Sequence, residues 1–214
     1  MNITFFVDFD GTITKTDTCL AVTKAFAKGD WKSINLQWEQ KMLTTKEAAT
    51  KTFKLFDTDK QRLKKFLYDN IEIDEHFFPF LNQCKKKDYK VYILSDGYDL
   101  HIDTIFEKYN INLPYYANNL VISDSGFKIN AVHNSEDCGR CGTCKTKLIN
   151  NLKPKDGLMV YIGDGYSDMC AAKNADIIFA KDALLSYCRK NQVPAHEFRD
   201  FSKINNWLLN GLSR

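Results

Sequence analysis

Hydrophobic residues follow two different spacings along the chain, and segments of the two kinds alternate. Four short runs carry apolar residues on both faces, as expected of buried strands in a parallel sheet. The longer segments between them carry apolar residues at helical spacing. The pattern predicts strands over Ile3–Val7, Val91–Leu94, Leu158–Ile162 and Ile177–Ala180, and helices over Tyr98–Tyr109, Cys144–Leu152, Asp168–Asn174 and Ala183–Lys190. We therefore expect an α/β fold with a doubly wound parallel sheet and helices on both faces.

The interval from Asp17 to Asn70 breaks this alternation, because it contains helical patterns and no strand pattern. It lies between the first predicted strand and the rest of the sheet. We interpret it as a small all-helical domain inserted into the sheet domain. The predicted boundaries are residues 15–74 for the helical domain, and residues 1–14 with 75–214 for the sheet domain.

Local signals predict where some of these elements begin and turn. Thr44 with Glu47, and Thr58 with Gln61, have the spacing of capping boxes, in which two side chains bind the free amides at a helix start. Residues Tyr115–Val132 show alternating residues around a Ser-Gly pair, which favours a hairpin. The sequence shows no internal repeat or low-complexity tract.

Composition and charge narrow the class of protein. The 214 residues are 44% hydrophobic and 27% charged, and a net charge of +3 is too small to suggest a nucleic-acid-binding protein. The longest apolar run, Leu158–Ile162, is far shorter than the roughly 20 residues that a membrane-spanning helix needs. The acidic N-terminus argues against a secretory signal, and the scattered cysteines favour a reducing compartment. We expect a cytoplasmic protein, either a monomer or a homodimer, that binds neither membranes nor nucleic acid.

Acidic residues directly follow three of the predicted strands, in the segments Asp8-Phe9-Asp10-Gly11-Thr12, Ser95-Asp96-Gly97 and Gly163-Asp164-Gly165-Tyr166-Ser167-Asp168. The carboxyl ends of parallel strands meet at one edge of the sheet, where open α/β sheets bind ligands. Carboxylates gathered there repel one another unless a cation lies among them. Hard oxygen ligands favour Mg²⁺, which commonly shares its coordination shell with a phosphate. Each segment alone is typical of a turn, but the three together favour a metal and phosphate site.

In this order the segments resemble the motifs of the haloacid dehalogenase superfamily: Asp8-x-Asp10-Gly11-Thr12, Ser95, a downstream lysine, and Gly163-Asp164-Gly165-x-x-Asp168. The helical insertion is similar to the C1-type cap of that superfamily, and the sequence most resembles its phosphoserine-phosphatase-like branch. The resemblance implies a Mg²⁺-dependent phosphomonoester hydrolase that works through an aspartyl-phosphate. Its substrate would be a small phosphorylated metabolite, with the enol phosphate of methionine salvage and phosphoserine both open. A phosphomutase is the enzyme alternative, and an idle thiol or zinc module is the non-enzyme alternative.

The resemblance also implies roles for the catalytic and metal-binding residues. Asp8 would be the nucleophile, and Asp10 would act first as a general acid and then as a general base. The Asp8 side chain, the Asp10 carbonyl and Asp164 would hold Mg²⁺. Lys145 or Lys147 would neutralise the phosphate, and Lys145 is preferred because it follows the Gly-Thr-Cys run.

Other motif residues would contact the substrate or support the site. Ser95 and the amides after it would bind phosphoryl oxygens, as Thr12 would. Asp96 stands where phosphoserine phosphatases usually have glycine, and its carboxylate would repel an anion unless it points away and contributes only its backbone amide. Asp17 is a candidate for contact with the substrate or for a helix cap, and Asp168 for metal support, lysine orientation or a helix start. The substrate-binding set is Thr12, Ser95, Asp96, Gly97 and Asp17.

A cysteine cluster, Cys138-x-x-Cys141-x-x-Cys144, follows His133 and is compatible with three interpretations. Reduced structural thiols, a redox-sensitive pair and a Zn²⁺ site all remain open. The other histidines, His76, His101 and His196, share no ligand spacing and are predicted to be surface or packing residues. The aromatic residues Trp31, Trp38, Phe26 and Phe53 are expected in the core of the helical bundle, with an apolar substrate pocket as the alternative.

Overall fold

A seven-stranded sheet forms the centre of the molecule in the computed structural model, which describes residues 2–123, 126–137 and 139–210. The strands are β1 (Ile3–Val7), β2 (Lys90–Tyr98), β3 (Tyr115–Ser123), β4 (Gly126–Asn130), β5 (Leu158–Gly163), β6 (Ile177–Ala180) and β7 (His196–Glu197). Their order is β4-β3-β2-β1-β5-β6-β7, and only the β3–β4 pair is antiparallel. The predicted doubly wound, mostly parallel sheet is confirmed.

Helices cover both faces of this sheet and also form the segment inserted after β1. They are α1 (Thr18–Phe26), α2 (Trp31–Glu39), α3 (Thr45–Phe53), α4 (Lys60–Asn70), α5 (Phe77–Lys86), α6 (Asp99–Tyr109), α7 (Lys145–Leu152), α8 (Met169–Ala172), α9 (Asp182–Lys190) and α10 (Phe201–Leu209). Within the described ranges, no helix combines the length and the apolar character needed to cross a membrane.

Strand β1 shows why the central strands have largely apolar sequences. Successive side chains of a strand point to opposite faces. Phe5 therefore packs in one hydrophobic cluster, with α5, α6 and α10, while Phe6 packs in a second cluster with α7, α8 and α9. Both phenylalanines are completely buried. Thr4 is the single polar residue of β1, and its buried hydroxyl has no hydrogen-bond partner among the described residues, which is a cost that a larger polar group would increase.

The inserted helices α1–α4 are joined to the sheet by two chain segments that run side by side. Thr14 pairs with Ile73 in an antiparallel bridge, and the amide of Asp74 donates to the carbonyl of Ile13 at 2.9 Å. Helix α4 packs against α6 through Leu67, which belongs to the same hydrophobic cluster as the sheet. Helix α3 packs through Phe53 on the β3–β4 hairpin. Helices α1–α4 therefore extend over the carboxyl edge of the sheet and pack on it at two places, α6 and the β3–β4 hairpin.

Three local predictions have clear outcomes. The capping box at Thr44 is confirmed, since Thr44 and Glu47 bind each other's backbone amides. The capping box at Thr58 is wrong: Asp59 caps α4 by accepting from the amide of Arg62 at 2.9 Å. A carboxylate is a strong cap there because it also complements the positive end of the helix. The hairpin is confirmed as β3–β4, although Ser125 lies outside the described residues.

Candidate active site

Asp8 and Lys145 form a buried ion pair at the carboxyl end of β1. The backbone amide of Asp8 still donates to Ile162 of β5, so its carboxylate is held at the edge of the sheet. Lys145 is the first residue of α7, and its Nζ lies 2.5 Å from Asp8 Oδ1 and 2.6 Å from Asp168 Oδ1. Asp8 and Lys145 are nearly inaccessible to solvent, with exposed fractions of 4% and 2%. The other lysine left open by the sequence, Lys147, is exposed and donates to the Asn134 carbonyl.

Burial and neighbouring charges act in opposite directions on this pair. Burial raises the pKa of the Asp8 carboxyl well above its usual value, the charge of Asp168 adds to the rise, and Lys145 opposes it. Burial disfavours the charged form of Lys145, but Asp168 and Asp8 outweigh it and leave the ammonium pKa above its usual value. Lys145 therefore stays charged, and its charge is matched by two carboxylates in direct contact.

Asp168 organises the loop that follows β5. Its Oδ1 accepts from Lys145 and from the Tyr161 hydroxyl at 2.5 Å, and its Oδ2 accepts from the amides of Asp164 and Gly165 at 3.1 and 2.8 Å. The residue is completely buried, so each of these bonds forms away from water. Asp168 thus orients the lysine and shapes the loop at once, which leaves its oxygens occupied by protein donors.

Asp164 lies opposite Asp8 and is fixed by the turn after β1. Its Oδ1 accepts from the Thr12 hydroxyl at 2.8 Å. Gly11 approaches the same carboxylate so closely that a Cβ at this position would lie 2.6 Å from Asp164 Oδ2, and its φ of +73° also favours glycine. Burial raises the pKa of Asp164 to about 6, and the charge of Asp168 contributes to the rise.

Carboxylate oxygens of Asp8, Asp164 and Asp168 lie within 4.8 Å of one another. Such crowding of hard, anionic oxygens is costly without a cation, and after burial it is a second cause of the raised pKa values of Asp8 and Asp164. Asp8 and Asp164 supply the hard carboxylate oxygens that Mg²⁺ prefers, whereas the oxygens of Asp168 are occupied by protein donors. Asp8 and Asp164 therefore fit a divalent cation, with Asp168 beside them.

Asp10 is held by hydrogen bonds to both of its carboxylate oxygens. Oδ1 accepts from the amide of Thr18 at 3.2 Å and from the Thr18 hydroxyl, while Oδ2 accepts from the Ser95 hydroxyl at 3.0 Å. The amide of Gly97 donates to Ser95 Oγ at 2.9 Å. A side chain at Gly97 would collide with Asp10 Oδ2, so glycine is required for this close approach. Thr18 was not predicted from the sequence, because it lies outside the motifs and reaches Asp10 only through the fold of the chain.

The Asp96 carboxylate is half-buried and accepts hydrogen bonds from three segments. It accepts from the amide of Thr143 and from the Thr45 hydroxyl, both at 2.7 Å, and Asn118 Nδ2 lies 3.4 Å away. Burial raises the pKa of Asp96, and these donors oppose the rise. The side chain thus joins α3 of the inserted segment to the turn before Lys145, which occupies it with partners other than an anion.

A cavity of 330 Å³ connects this acidic site to the inserted helices. Carboxylates line the end near the sheet, and Trp31, Trp38 and Phe53 line the other end. No lysine or arginine from the described part of the chain lines it. Asp17 also lines the cavity, and it caps α1 by accepting from the amide of Leu20 at 2.8 Å. Of the four aromatic residues singled out in the sequence, Phe26 instead packs on Phe66.

Two cysteines of the cluster, Cys141 and Cys144, lie in the described segment that leads into Lys145. Cys138 is outside the described residues, and Cys144 precedes Lys145 with its amide bonded to the His133 carbonyl at 2.9 Å. Two groups of side chains in the described ranges have metal-ligand spacing, Asp8 with Asp164 and Asp168, and Asp10 with Cys19 and His101. Neither group includes Cys141, Cys144 or His133.

The chain is similar to a known protein family along most of its length. A family model described as Putative Phosphatase matches residues 3–194. The chain belongs to this family and is a phosphoric monoester hydrolase with the haloacid dehalogenase fold. The resemblance drawn from the four motifs is thereby confirmed.

Individual curated proteins and solved structures are similar to the chain over most of its length. The chain is 32% identical over 197 residues to 2-hydroxy-3-keto-5-methylthiopentenyl-1-phosphate phosphatase of Bacillus pumilus, which covers 91% of this chain and 85% of that protein. It is 29% identical to the protein of the same name in Bacillus cereus strain B4264, over 95% and 94% of the two chains. A substrate-bound phosphoserine phosphatase complex aligns with a TM-score of 0.73 at 19% identity, over 97% of this chain and 98% of that chain. This last similarity concerns the fold.

Proposed function

We propose that the protein is a Mg²⁺-dependent phosphatase that forms an aspartyl-phosphate on Asp8. The observation that carries this proposal is the contact of Lys145 with both Asp8 and Asp168, beside Asp164 and Asp10 at one edge of the sheet. A carboxylate is a useful nucleophile when its phosphorylated form is a readily hydrolysed acyl phosphate. Asp8 is held in place by the sheet on one side and by Lys145 on the other, which favours in-line attack.

Each residue of the site then has a separate catalytic role. Asp8 attacks phosphorus, and Asp10 protonates the oxygen of the leaving alcohol before accepting a proton from the attacking water. Lys145 offsets negative charge beside Asp8, while Ser95 and the Gly97 amide are placed to donate to phosphoryl oxygens. The Asp8 and Asp164 side chains and the Asp10 carbonyl would hold Mg²⁺, which neutralises charge that develops on the phosphoryl group. Asp168 would act through Lys145 and the loop of Asp164.

The inserted residues 15–74 would act as a cap over this site. The paired segments at Thr14 and Ile73 provide two adjacent connections about which α1–α4 could move relative to the sheet. The hydrogen bond from Thr45 to Asp96 would then form when the cap is closed. Closure excludes bulk water and strengthens the electrostatic interactions inside the site.

The cavity supports an enol phosphate with an apolar tail as the substrate, as in the name of the curated relatives. A methylthio group suits the aromatic end of the cavity, where burial of a methionine-sized apolar group is worth about 1.5–3 kcal/mol. Phosphoserine also carries a carboxylate, and the described lining offers no lysine or arginine to bind it. We therefore propose the methionine-salvage enol phosphate, and the cytoplasm as the location of the reaction.

This proposal is tested by phosphate release from a panel that contains this enol phosphate, phosphoserine, sugar phosphates and p-nitrophenyl phosphate. The enol phosphate should give the highest kcat/KM, and release without an added acceptor alcohol distinguishes a phosphatase from a phosphomutase. If phosphoserine is the better substrate, the proposed specificity is wrong. If none of the esters is cleaved with Mg²⁺ present, the proposed activity itself is wrong.

Replacement of Trp31 by alanine is expected to weaken this preference. The indole lines the apolar end of the cavity, so its loss should lower kcat/KM for the enol phosphate by about tenfold and leave sugar phosphates nearly unchanged. Tyr68→Ala is a suitable control, because Tyr68 is a half-exposed aromatic residue of α4 that does not line the cavity. An equal loss for all substrates would argue against a specificity role.

Magnesium binding is expected to depend on pH through Asp164. The folded protein favours the protonated carboxyl, because its pKa of about 6 lies above the unfolded value. In the absence of metal, Asp164 therefore contributes stability at low pH, and this contribution is lost as the pH rises through about 6. Mg²⁺ must displace the proton, so its affinity should fall by about tenfold per pH unit below about pH 6. Calorimetric titrations between about pH 5 and 8 would measure this, and a flat profile would contradict the assignment.

A further inference from the structure

His101 lines the cavity near Asp10 and is connected to it through Thr18. The imidazole Nδ1 is 2.8 Å from the Thr18 hydroxyl oxygen, and that hydroxyl contacts Asp10 Oδ1. His101 is 2% exposed and Thr18 is completely buried. The ring of Tyr98 packs edge-on against the imidazole with 5.3 Å between centroids. His101 is therefore not a surface residue, and beyond its packing it makes a polar contact with Thr18 that the sequence did not predict.

The number of available protons fixes the direction of this chain of hydrogen bonds. Burial lowers the pKa of His101 to about 4, and Asp10 and Asp99 only partly oppose that effect, so the ring is neutral near pH 7. A neutral imidazole has one N–H, and the Thr18 hydroxyl has one hydrogen. When Asp10 is ionised, the Thr18 hydrogen must point to Oδ1. The contact between Thr18 and His101 is then a hydrogen bond only if Nδ1 carries the proton and donates.

The two carboxylate oxygens of Asp10 differ in the number of hydrogen bonds that they accept. Oδ1 accepts two hydrogen bonds from Thr18, from the amide and from the hydroxyl. Oδ2 accepts only from Ser95 among the contacts of the described residues. Ser95 is also placed to donate to a phosphoryl group, and a bound phosphate would draw its hydrogen away from Oδ2. Oδ2 is then the oxygen that can carry a proton.

We propose that His101 is a positioning residue for the general acid, fixing Asp10 through Thr18 so that Oδ2 carries and delivers the proton. The proposal rests on the phosphatase mechanism above and assigns one further residue to it. In the step concerned, the bond from phosphorus to the leaving oxygen breaks as the bond from Asp8 to phosphorus forms. The proton on Asp10 Oδ2 moves to the leaving oxygen, which departs as a neutral alcohol and leaves Asp10 ionised.

The leaving group provides a test that a purely structural role would not pass. Dinitrophenolate leaves as a stable anion and needs no proton, whereas a simple alkoxide needs one. The constant kcat/KM reports only the steps up to formation of the phosphoenzyme. His101→Leu should therefore lower kcat/KM for glycerol phosphate by about tenfold, equivalent to about 1.4 kcal/mol, with less than about a twofold change for 2,4-dinitrophenyl phosphate.

Conservative variants distinguish the effect of the hydrogen-bond donor from the effect of side-chain shape. His101→Asn places an amide N–H near the position of Nδ1 and should retain kcat/KM for glycerol phosphate within about threefold of the wild type. Thr18→Val removes the intermediate hydroxyl and should reproduce the selective loss of His101→Leu, which keeps the test valid if His101→Leu folds poorly. Thr104→Val is the matched control, because Thr104 is a buried polar residue of the same helix that binds only the Leu100 carbonyl among the described residues. Its ratio of the two kcat/KM values should equal that of the wild type.

The outcomes distinguish this inference from the proposed function. Equal losses for both esters in His101→Leu and Thr18→Val, or no loss in either variant, would overturn the positioning role while the phosphatase mechanism stands. A wild-type protein that cleaves neither ester with Mg²⁺ would overturn the mechanism itself. Selective loss for glycerol phosphate, with recovery in His101→Asn, supports the chain from His101 through Thr18 to Asp10.

Discussion

Asp8→Asn is expected to reduce the hydrolysis of p-nitrophenyl phosphate by about 10⁴-fold or more, because the amide cannot serve as the nucleophile. Asparagine is nearly the same size and still offers an oxygen to Lys145, so the fold should be kept. The substitution also removes a carboxylate whose pKa is raised by burial, and its repulsion from Asp168 and Asp164 disappears with it. The melting temperature should therefore not fall, even though activity is lost.

Mass spectrometry of the wild-type protein quenched during turnover should show one added phosphoryl group, which is absent in Asp8→Asn. Asp176→Asn is the matched control, because Asp176 is exposed and precedes β6 at the opposite edge of the sheet. Its activity should equal that of the wild type. Retention of more than about one tenth of the wild-type rate in Asp8→Asn would exclude Asp8 as the nucleophile.

Lys145→Met is expected to abolish most of the activity and also to destabilise the protein. The methionine leaves Asp8 and Asp168 buried without their shared cation, and the loss of one partner from a buried ion pair typically costs about 3–5 kcal/mol. The pKa of Asp8, already raised by burial, should rise further, so less of it is ionised for attack near pH 7. Activity would be measured by phosphate release, and stability by urea unfolding.

Lys147→Met is the matched control for this variant. Lys147 is in the same helix, is exposed and contacts only a backbone carbonyl among the described residues, so its stability should stay within about 0.5 kcal/mol of the wild type. If the two variants lose activity equally, the effect belongs to α7 as a whole and not to the contact with Asp8. Added Mg²⁺ should partly restore the stability of Lys145→Met, because it also relieves the repulsion among the carboxylates.

The central strands were predictable because each of them is buried on both faces. The adjacent residues Phe5 and Phe6 point into different hydrophobic clusters, so the strand carries apolar residues on both faces, with Thr4 as its single polar residue. The parallel part of β3 was not predictable in the same way. It carries Asn118 and Asn119 beside β2, where they bind Asp96 and Asp99, and a strand with such polar residues does not show a continuous apolar pattern.

The choice between Lys145 and Lys147 illustrates a limit of the sequence near a helix start. Residues two positions apart in a helix point about 200° apart, so only one of the two lysines can face Asp8. The rotation of α7 is set by the burial of Leu148 and Ile149 against the sheet and by the turn at Cys144. None of these is fixed by the local spacing of charged residues.

The contacts of Asp96 and His101 had no signal in the sequence at all. Asp96 binds Thr45 and Thr143, which are 51 and 47 residues away, and His101 binds Thr18 across 83 residues. Such bonds arise from the way the inserted helices return over the sheet. A motif records the residues that neighbour one another along the chain, whereas the partners that orient them come from other segments.

The described cavity lining contains carboxylates but no lysine or arginine, so a cation should bind before or together with the phosphate ester. The charge of Lys145 is already matched by two carboxylates, so a phosphate dianion entering alone meets a site of its own sign. On the proposed mechanism, an ester is accepted only together with a divalent ion. Abundant ester cannot compensate for scarce cation, and turnover in the cell is thereby tied to the supply of free magnesium.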